Sequence, residues 1–387
     1  MATTIVSGVQ YSGIWTMQQV NAAVAAGTWP GLPLPNLYSW GNNASGRLGL
    51  GNTTNYSSPK QVGSLTNWSM TAGGWYASFA IKTDGTLWSW GESPQGQLGL
   101  GNTTAYSSPK QVGSLTTWLK ISGGFYHSLA IKTDGTLWSW GQNSSGQLGL
   151  GNTTSYSSPK QVGAGTTWAS VTGGSGQASV AVKTDGTLWA WGLNTSGQLG
   201  IGTISNISSP VQVGALTDWL NVVGGYQFTL AAKTNGTLWA WGKNSEGQLG
   251  QGNIVNTSSP VQIGSLTNWY TIATNFLSSY SVKTDGTLWS WGSNEQGQLG
   301  LGNLTYYSSP KQVGALTNWL KISGGGYALR AIKTDGTLWV FGRGAAGQLG
   351  LGDTVSRSSP TQVGTKTYWS TVGIVPLRSL ATISGTT

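Results

Sequence analysis

Residues 78–91 read SFAIKTDGTLWSWG. Apolar and aromatic side chains cluster in two short runs, SFAIK and TLWSWG, separated by the polar Asp-Gly pair. That pattern predicts two antiparallel strands joined by a tight hairpin in which backbone with φ > 0 is required. One copy, at Asn235-Gly236, replaces the aspartate by asparagine. This predicts that the position is chosen for its tolerance of left-handed geometry rather than for charge. A third strand is expected around PKQVG (59–63), with its proline where a missing N–H does no harm. A fourth is expected over WLKISGG (118–124).

The pattern repeats. The aromatic residue before the strand-ending glycine falls at Trp40, Trp90, Trp140, Trp191, Trp241, Trp291 and Phe341, a spacing of 50 or 51 residues. The SSP element ends at Pro59, Pro109, Pro159, Pro210, Pro260, Pro310 and Pro360. Four short strands in about 50 residues are one propeller blade, and seven periods predict an all-β, seven-bladed β-propeller of four-stranded antiparallel blades. The last period, SLATISGTT, stops before its LWSWG, and the first, LYSWG at 37–41, lacks a hairpin partner before it. Residues 37–41 are therefore expected to complete the last blade, which removes the open edges of the ring. The expected organisation is an N-terminal segment over 1–36 and the propeller over 37–387.

Composition narrows the chemistry. The 387 residues contain 22 tryptophans, 61 glycines, no cysteine and one histidine, His127. Nineteen tryptophans recur at fixed places in the period and are expected to pack blade against blade; Trp15, Trp29 and Trp75 do not. One histidine excludes an HExxH zinc site, and no cysteine excludes thiolate sites and nucleophiles. The LGLGN runs lack the lysine of a phosphate loop and read as tight turns. The hairpin residues Asp84, Asp134, Asp185, Asp285 and Asp335 are spread one per blade, so no carboxylate pair for acid–base work is expected. No enzyme activity, cofactor or metal is expected. The net charge of +9 is mild for this length. Its most one-sided stretch sets Arg330, Lys333, Arg343, Arg357, Lys366 and Arg378 against Asp335 and Asp353. That reads as a solvated basic sector, with nucleic acid not expected as a partner. No apolar run is long enough to span a bilayer, and the first basic residue is Arg47, so neither membrane insertion nor a secretory signal peptide is expected.

The stretch GGFYHSLAIKTDGTLWSWGQNSSGQLGLGN (123–152) closely resembles the repeat of the regulator of chromosome condensation family. The resemblance covers residues 37–383 and implies a seven-bladed propeller. It does not imply one function, since that family includes a chromatin nucleotide-exchange factor, a plant photoreceptor and a bacterial enzyme inhibitor. The near-constant spacing leaves no insertion of the kind on which exchange depends. The first 36 residues resemble the short N-terminal segments of tailed-phage virion proteins. There Tyr11, Trp15 and Trp29 are candidate attachment residues, a brief helix is expected to end at Gly27, and WPGLPLPN reads as a stiff linker.

Differences among the copies point to a binding face. The copies diverge most after Gly-Gly and after Trp-Gly, and in an up-and-down blade both stretches join strands at the same face. That face is expected to present Trp75, Tyr76, Phe125, Tyr126, His127, Gln177, Tyr226, Phe228, Phe276, Tyr327 and Arg378, with His127 at a position usual for a structural histidine. Aromatic rings among amides suit a protein or a glycan. The functional expectation is a virion-associated structural or host-contact protein. It would be held to other virion proteins through residues 1–36 and bind a host-surface protein or glycan through its loop face. The alternative is a soluble bacterial interaction module or inhibitor, cytoplasmic or secreted.

Overall fold

The structure is a computed structural model described for residues 4–6, 9–11, 36–174, 176–373 and 378–383. Two short strands, β1 (Thr4–Val6) and β2 (Val9–Tyr11), form an antiparallel hairpin. Every other strand belongs to one of seven four-stranded antiparallel blades. Blade 1 contains Trp68–Gly73, Ala77–Lys82, Leu87–Gly91 and Tyr106–Gln111, from the inner strand to the outer. Blades 2 to 6 repeat it, with inner strands starting at Trp118, Trp168, Trp219, Trp269 and Trp319.

Blade 7 closes the ring as expected, and takes more from the N-terminus than one strand. Strand β3 (Asn36–Gly41) pairs with Arg378–Ile383 over its whole length, from Asn36 opposite Ile383 to Gly41 opposite Arg378. The outer strand of the same blade, Tyr56–Gln61, is also N-terminal. The outer strands begin three residues before the expected PKQVG, so Pro59 lies inside the strand. An edge strand tolerates this, because the missing N–H faces no neighbour.

The hairpin corrects one expectation. Gly85 has φ 77°, while Asp84 is not in the left-handed region. Asp84 serves through its carboxylate instead: Oδ1 accepts the Thr86 N–H at 2.9 Å and the Thr86 hydroxyl at 2.7 Å. The hydroxyl in turn accepts the Trp88 indole N–H at 2.9 Å. Asn235 supplies the same oxygen to Thr237 at 3.1 and 2.7 Å. The exchange of aspartate for asparagine thus conserves an acceptor, and glycine alone carries the strained backbone.

The core lies between blades. Trp40, Trp90, Trp140, Trp191, Trp241 and Trp291 are fully buried, and clusters such as Phe79, Ile81, Leu87, Trp118 and Trp140 join adjacent sheets. A buried tryptophan removes about 200 Å² from water, roughly 5 kcal/mol at about 25 cal/mol per Å² and an upper bound. The GQLG element fastens the junctions. The Gln97 carbonyl of blade 1 accepts Ser128 Oγ at 2.8 Å and Trp140 Nε1 at 2.9 Å from blade 2. The same pair recurs at Gln147, Gln198, Gln248 and Gln348. At the junction of blades 5 and 6 both donors are missing, because Leu329 and Phe341 stand in their places. There Tyr280 of blade 5 supplies its own hydroxyl to the Gln298 carbonyl at 2.8 Å, and accepts Asn275 Nδ2 at 2.7 Å.

Candidate functional site: the loop face

The loops after Gly-Gly and after Trp-Gly meet at one face, opposite the hairpin turns. Backbone bonds join them: Glu92 N–H to Tyr76 O and Gln142 N–H to Tyr126 O, each 2.9 Å. The Gly-Gly pairs exist because inner strands crowd at the ring axis, and a Cβ on Gly74 would collide with the Gly124 carbonyl. Loop tips of different blades are also tied: Trp75 N–H to Gly124 O at 3.2 Å, Tyr226 N–H to Phe276 O at 3.1 Å, Phe276 N–H to Gly326 O at 2.9 Å.

On this frame seven rings from five blades form one network. Trp75 packs at 5.2 Å from Phe125 and at 5.4 Å from Phe276, which belongs to blade 5. The sequence put these residues on one face, and the structure brings them into contact. Tyr76 stacks on Tyr126 at 4.6 Å with an interplanar angle of 6°. Tyr226 stacks on Phe276 at 4.2 Å, and Tyr327 lies 5.5 Å from Phe276. All seven are half-buried. Beneath Trp75 lies a cavity of about 290 Å³ walled by inner strands, with Thr71, Ser122, Thr172 and Ser323 among its polar lining.

Charge is arranged at one side of the network. Arg47 lies 4.9 Å over the Tyr76 ring and bonds Glu92 at 2.6 Å. Burial pushes the Tyr126 hydroxyl up to about 12, helped by its bond with Tyr76 and the nearby Glu92 carboxylate. Gln177 accepts Ser145 Oγ at 2.9 Å and donates to Gln142 Oε1 at 3.3 Å, linking two loops of the same face.

Three expected face residues are not on the face. His127, Phe228 and Arg378 begin the second strands of blades 2, 4 and 7, and their side chains turn inward between blades. His127 Nε2 meets Ser179 Oγ of blade 3 at 3.0 Å, and burial pushes its pKa down from 6.5 to about 4. Phe228 fills the space left by Gly225, where a Cβ would strike its ring. Arg378 is fully buried and clasps blade 1: Nε bonds Ser78 Oγ at 2.9 Å, and its terminal nitrogens bond the carbonyls of Ala77, Trp75 and Gly74 at 2.6, 3.1 and 3.2 Å. Desolvation holds its pKa well below the ordinary arginine value.

Half of the expected basic sector is withdrawn from the surface for the same reason, since Arg330, Lys333 and Arg378 are buried while Arg343, Arg357 and Lys366 are not. Arg330 is also fully buried, bonding Ser379 Oγ and the Arg378 carbonyl. Lys333 lies 3.6 Å over the Trp339 ring, and Arg357 pairs with Asp353 at 2.5 Å. Of the attachment residues, Tyr11 lies on β2, whereas Trp15, Trp29 and the expected helix lie outside the described residues.

An apolar arc at the rim escaped the sequence reading. Ile204, Ile254, Val255, Leu304 and Val355 are 57 to 65% exposed, on the long loops of blades 3 to 6. The signal was present: GNTT in three copies becomes GTIS, GNIV, GNLT and GDTV in the other four. Among the described residues no three His, Cys, Asp or Glu side chains group to hold a metal, and no helix is long and apolar enough to cross a membrane.

The family model of the Regulator of chromosome condensation (RCC1) repeat matches residues 36–81, 84–131, 134–181, 185–232, 235–274, 285–329 and 335–372. A second model of that repeat matches residues 118–147, 168–198 and 220–248. The chain belongs to the regulator of chromosome condensation repeat family. No curated protein matches it. Among solved structures it is similar to human WBSCR16, at 20% identity and a TM-score of 0.81 over 91% of this chain and 100% of that one. It is also similar to Prp20p of Saccharomyces cerevisiae, described with that protein's binding to Gsp1p and histones, at 19% identity and 0.82 over 92% and 93%. Yeast RCC1 (Prp20) bound to Kap60 matches at 17% and 0.82 over 100% and 97%. At these identities the likeness shows the propeller fold.

Proposed function

We propose that this member of the repeat family is a non-enzymatic binding protein that takes a protein partner on the aromatic mouth of its loop face. The observation that carries the reading is the Trp75–Phe276 contact across the mouth, which joins the rings of five blades into one half-buried patch. Large rings held by backbone bonds lose little freedom on binding and serve as anchors. The Arg47–Glu92 pair beside them supplies polar contacts at the edge of the patch. The binding of Gsp1p and histones belongs to Prp20p. With near-constant loops and its one histidine buried, this chain is expected not to accelerate release of fluorescent GDP from Gsp1p. Faster release would contradict the non-enzymatic part of the reading. Immobilised chain carrying Trp75→Ser is expected to lose partner capture from a host extract at least tenfold relative to the unsubstituted chain. Equal capture by both would place the binding elsewhere.

Location on a phage particle, with residues 1–36 attached to other virion proteins, is proposed on the sequence of that segment. Immunogold labelling of particles tests it; label confined to the soluble fraction would favour the soluble bacterial module.

A further inference from the structure

The outer wall of the ring is not the same on every side. At the fifth residue of the outer strand, blades 7, 1, 2 and 5 carry Lys60, Lys110, Lys160 and Lys311, whereas the adjacent blades 3 and 4 carry Val211 and Val261. The rim loops of those two blades hold Ile204 and Ile254, where GNTT in three other copies has threonine. Val255 takes the place of the next threonine. The turns that follow the two strands add Leu216 and Leu266. All seven aliphatic side chains are 38 to 65% exposed. Val261, Leu266 and Asn253 border one hollow of about 520 Å³, so the strand, the turn and the rim loop of blade 4 present one surface.

The same wall is free of charge. Residues 201–217 and 251–268, which run from the rim loop through the outer strand to the turn, contain no charged side chain. The next residue after the first stretch, Asp218, is taken up by Lys233 at 3.2 Å. In every other blade the matching stretch is charged, by one lysine in four of them and by Asp353, Arg357 and Lys366 in blade 6. Apolar exposure gathered on two neighbouring blades, with the charge removed from both, marks a contact surface. Pro210 and Pro260 lie inside the two edge strands, so the contact is between side chains and not an extension of the sheet.

We propose that the wall of blades 3 and 4 is covered by a second copy of this chain, rim to rim about a two-fold axis parallel to the ring axis. Three observations select this occupant. Two copies that each carry a net charge of +9 repel, and this wall is where they meet without bringing charges together. A two-fold contact needs a surface that matches itself. Blades 3 and 4 supply one, since blade 3 of each copy lies on blade 4 of the other and sets Ile204 against Ile254, Val211 against Val261 and Leu216 against Leu266. The area is also sufficient. At roughly 80 Å² apiece, the seven aliphatic side chains supply more than half of the about 800 Å² that each side of a stable interface covers, and the uncharged serines, threonines and amides between them supply the rest. In this arrangement both loop faces point the same way and both aromatic mouths stay open, so the dimer holds a partner with two mouths at once.

The test is the oligomeric state of the full chain by sedimentation velocity over a micromolar concentration series. The unsubstituted chain is expected to sediment as a dimer that dissociates on dilution. The double variant Val211→Lys, Val261→Lys installs the residue that four other blades carry at this position, so the blade tolerates it. It is expected to weaken the dimer at least about a hundredfold, because each lysine enters the two-fold contact twice. Ile254→Thr with Val255→Thr restores the GNTT wording of three other copies and is expected to weaken the dimer at least about tenfold. Trp75→Ser is expected to leave the dimer as it is. Unchanged thermal melting of the monomeric variants at low concentration shows that they are folded. A monomer throughout the series overturns the proposal and leaves the wall to a different protein. A dimer of unchanged strength in the double lysine variant overturns it too, as does a dimer lost in Trp75→Ser, which would move the contact to the mouth.

Discussion

Tyr126 and His127 are neighbours in sequence and opposites in structure. Tyr126 stacks on Tyr76 at the loop face, half-buried; His127 is sealed between blades 2 and 3 against Ser179. The same division runs around the ring, with Tyr76 outward before Ala77 inward, and Phe228 and Arg378 inward at the matching place. Both positions differ among the copies, for different reasons. At the loop tip the scaffold asks for nothing in particular, and side chains there are available to a partner. At the strand start each junction has its own gap to fill, and alanine, histidine, phenylalanine and arginine are local answers. Variation within a repeat array therefore marks either a free surface or an adapted seam, and burial decides between them.

The largest effect is expected at the seam that closes the ring. Arg378→Ala removes four bonds to blade 1 and leaves Ser78 and three backbone carbonyls to find other partners. A loss of about 4 kcal/mol in unfolding free energy is expected, measured by denaturant titration. A loss under about 1 kcal/mol would show that the adapted seam matters no more than a loop tip.

His127 sharpens the comparison through pH. Its folded pKa is depressed from 6.5 to about 4 by burial, so the unfolded chain binds the extra proton first. Its contribution to stability is fully present above about pH 6.5, falls as pH drops through the unfolded value, and is lost to the extent of about 3 kcal/mol by about pH 4. His127→Gln is expected to flatten the stability profile between those limits. An unchanged profile would mean that the ring is not held neutral.

Tyr280→Phe comes next. It leaves the Gln298 carbonyl and Asn275 without their buried partner, and about 2 kcal/mol is expected to be lost. The same change at Tyr76, on the loop face, is expected to cost under about 0.5 kcal/mol. Thermal melts of the two variants side by side test the contrast.

Much of the fold was legible because it is periodic. The seven blades, the pairing of residues 37–41 with the chain end and the packing of the repeated tryptophans against the inter-blade clusters all follow from spacing, although Trp88, Trp138, Trp189, Trp239, Trp289 and Trp339 are only half-buried. Departures from the period were read less well. Arg330 and Arg378 looked like surface charge, since nothing in sequence announces a guanidinium served by carbonyls rather than carboxylates. Phe228 and Arg378 looked like loop residues, because the strand begins at the residue where the variable stretch continues; His127 was set on the same face, but its reading as a structural histidine agrees with its burial against Ser179. The exposed arc at Ile204, Ile254, Leu304 and Val355 was written as departures from GNTT, on loops whose preceding residues drew the attention. That Trp75, Tyr76, Phe125, Tyr126, Tyr226, Phe276 and Tyr327 share one face was read from the copies, but not that they form a cluster. The closure of the cluster across the mouth was not legible, because a contact between blades 1 and 5 depends on ring diameter.

The most direct test pairs the two neighbours. Unfolding free energy and partner capture are measured for Tyr126→Ser and His127→Ala in the full-length chain at neutral pH. The division predicts that Tyr126→Ser stays within about 1 kcal/mol of the unsubstituted chain and loses capture at least tenfold. It predicts that His127→Ala loses about 1–3 kcal/mol, from the cavity and the unpartnered Ser179, and keeps capture. The reverse pattern, with capture lost at His127 and stability lost at Tyr126, would contradict the account of the loop face as the binding surface.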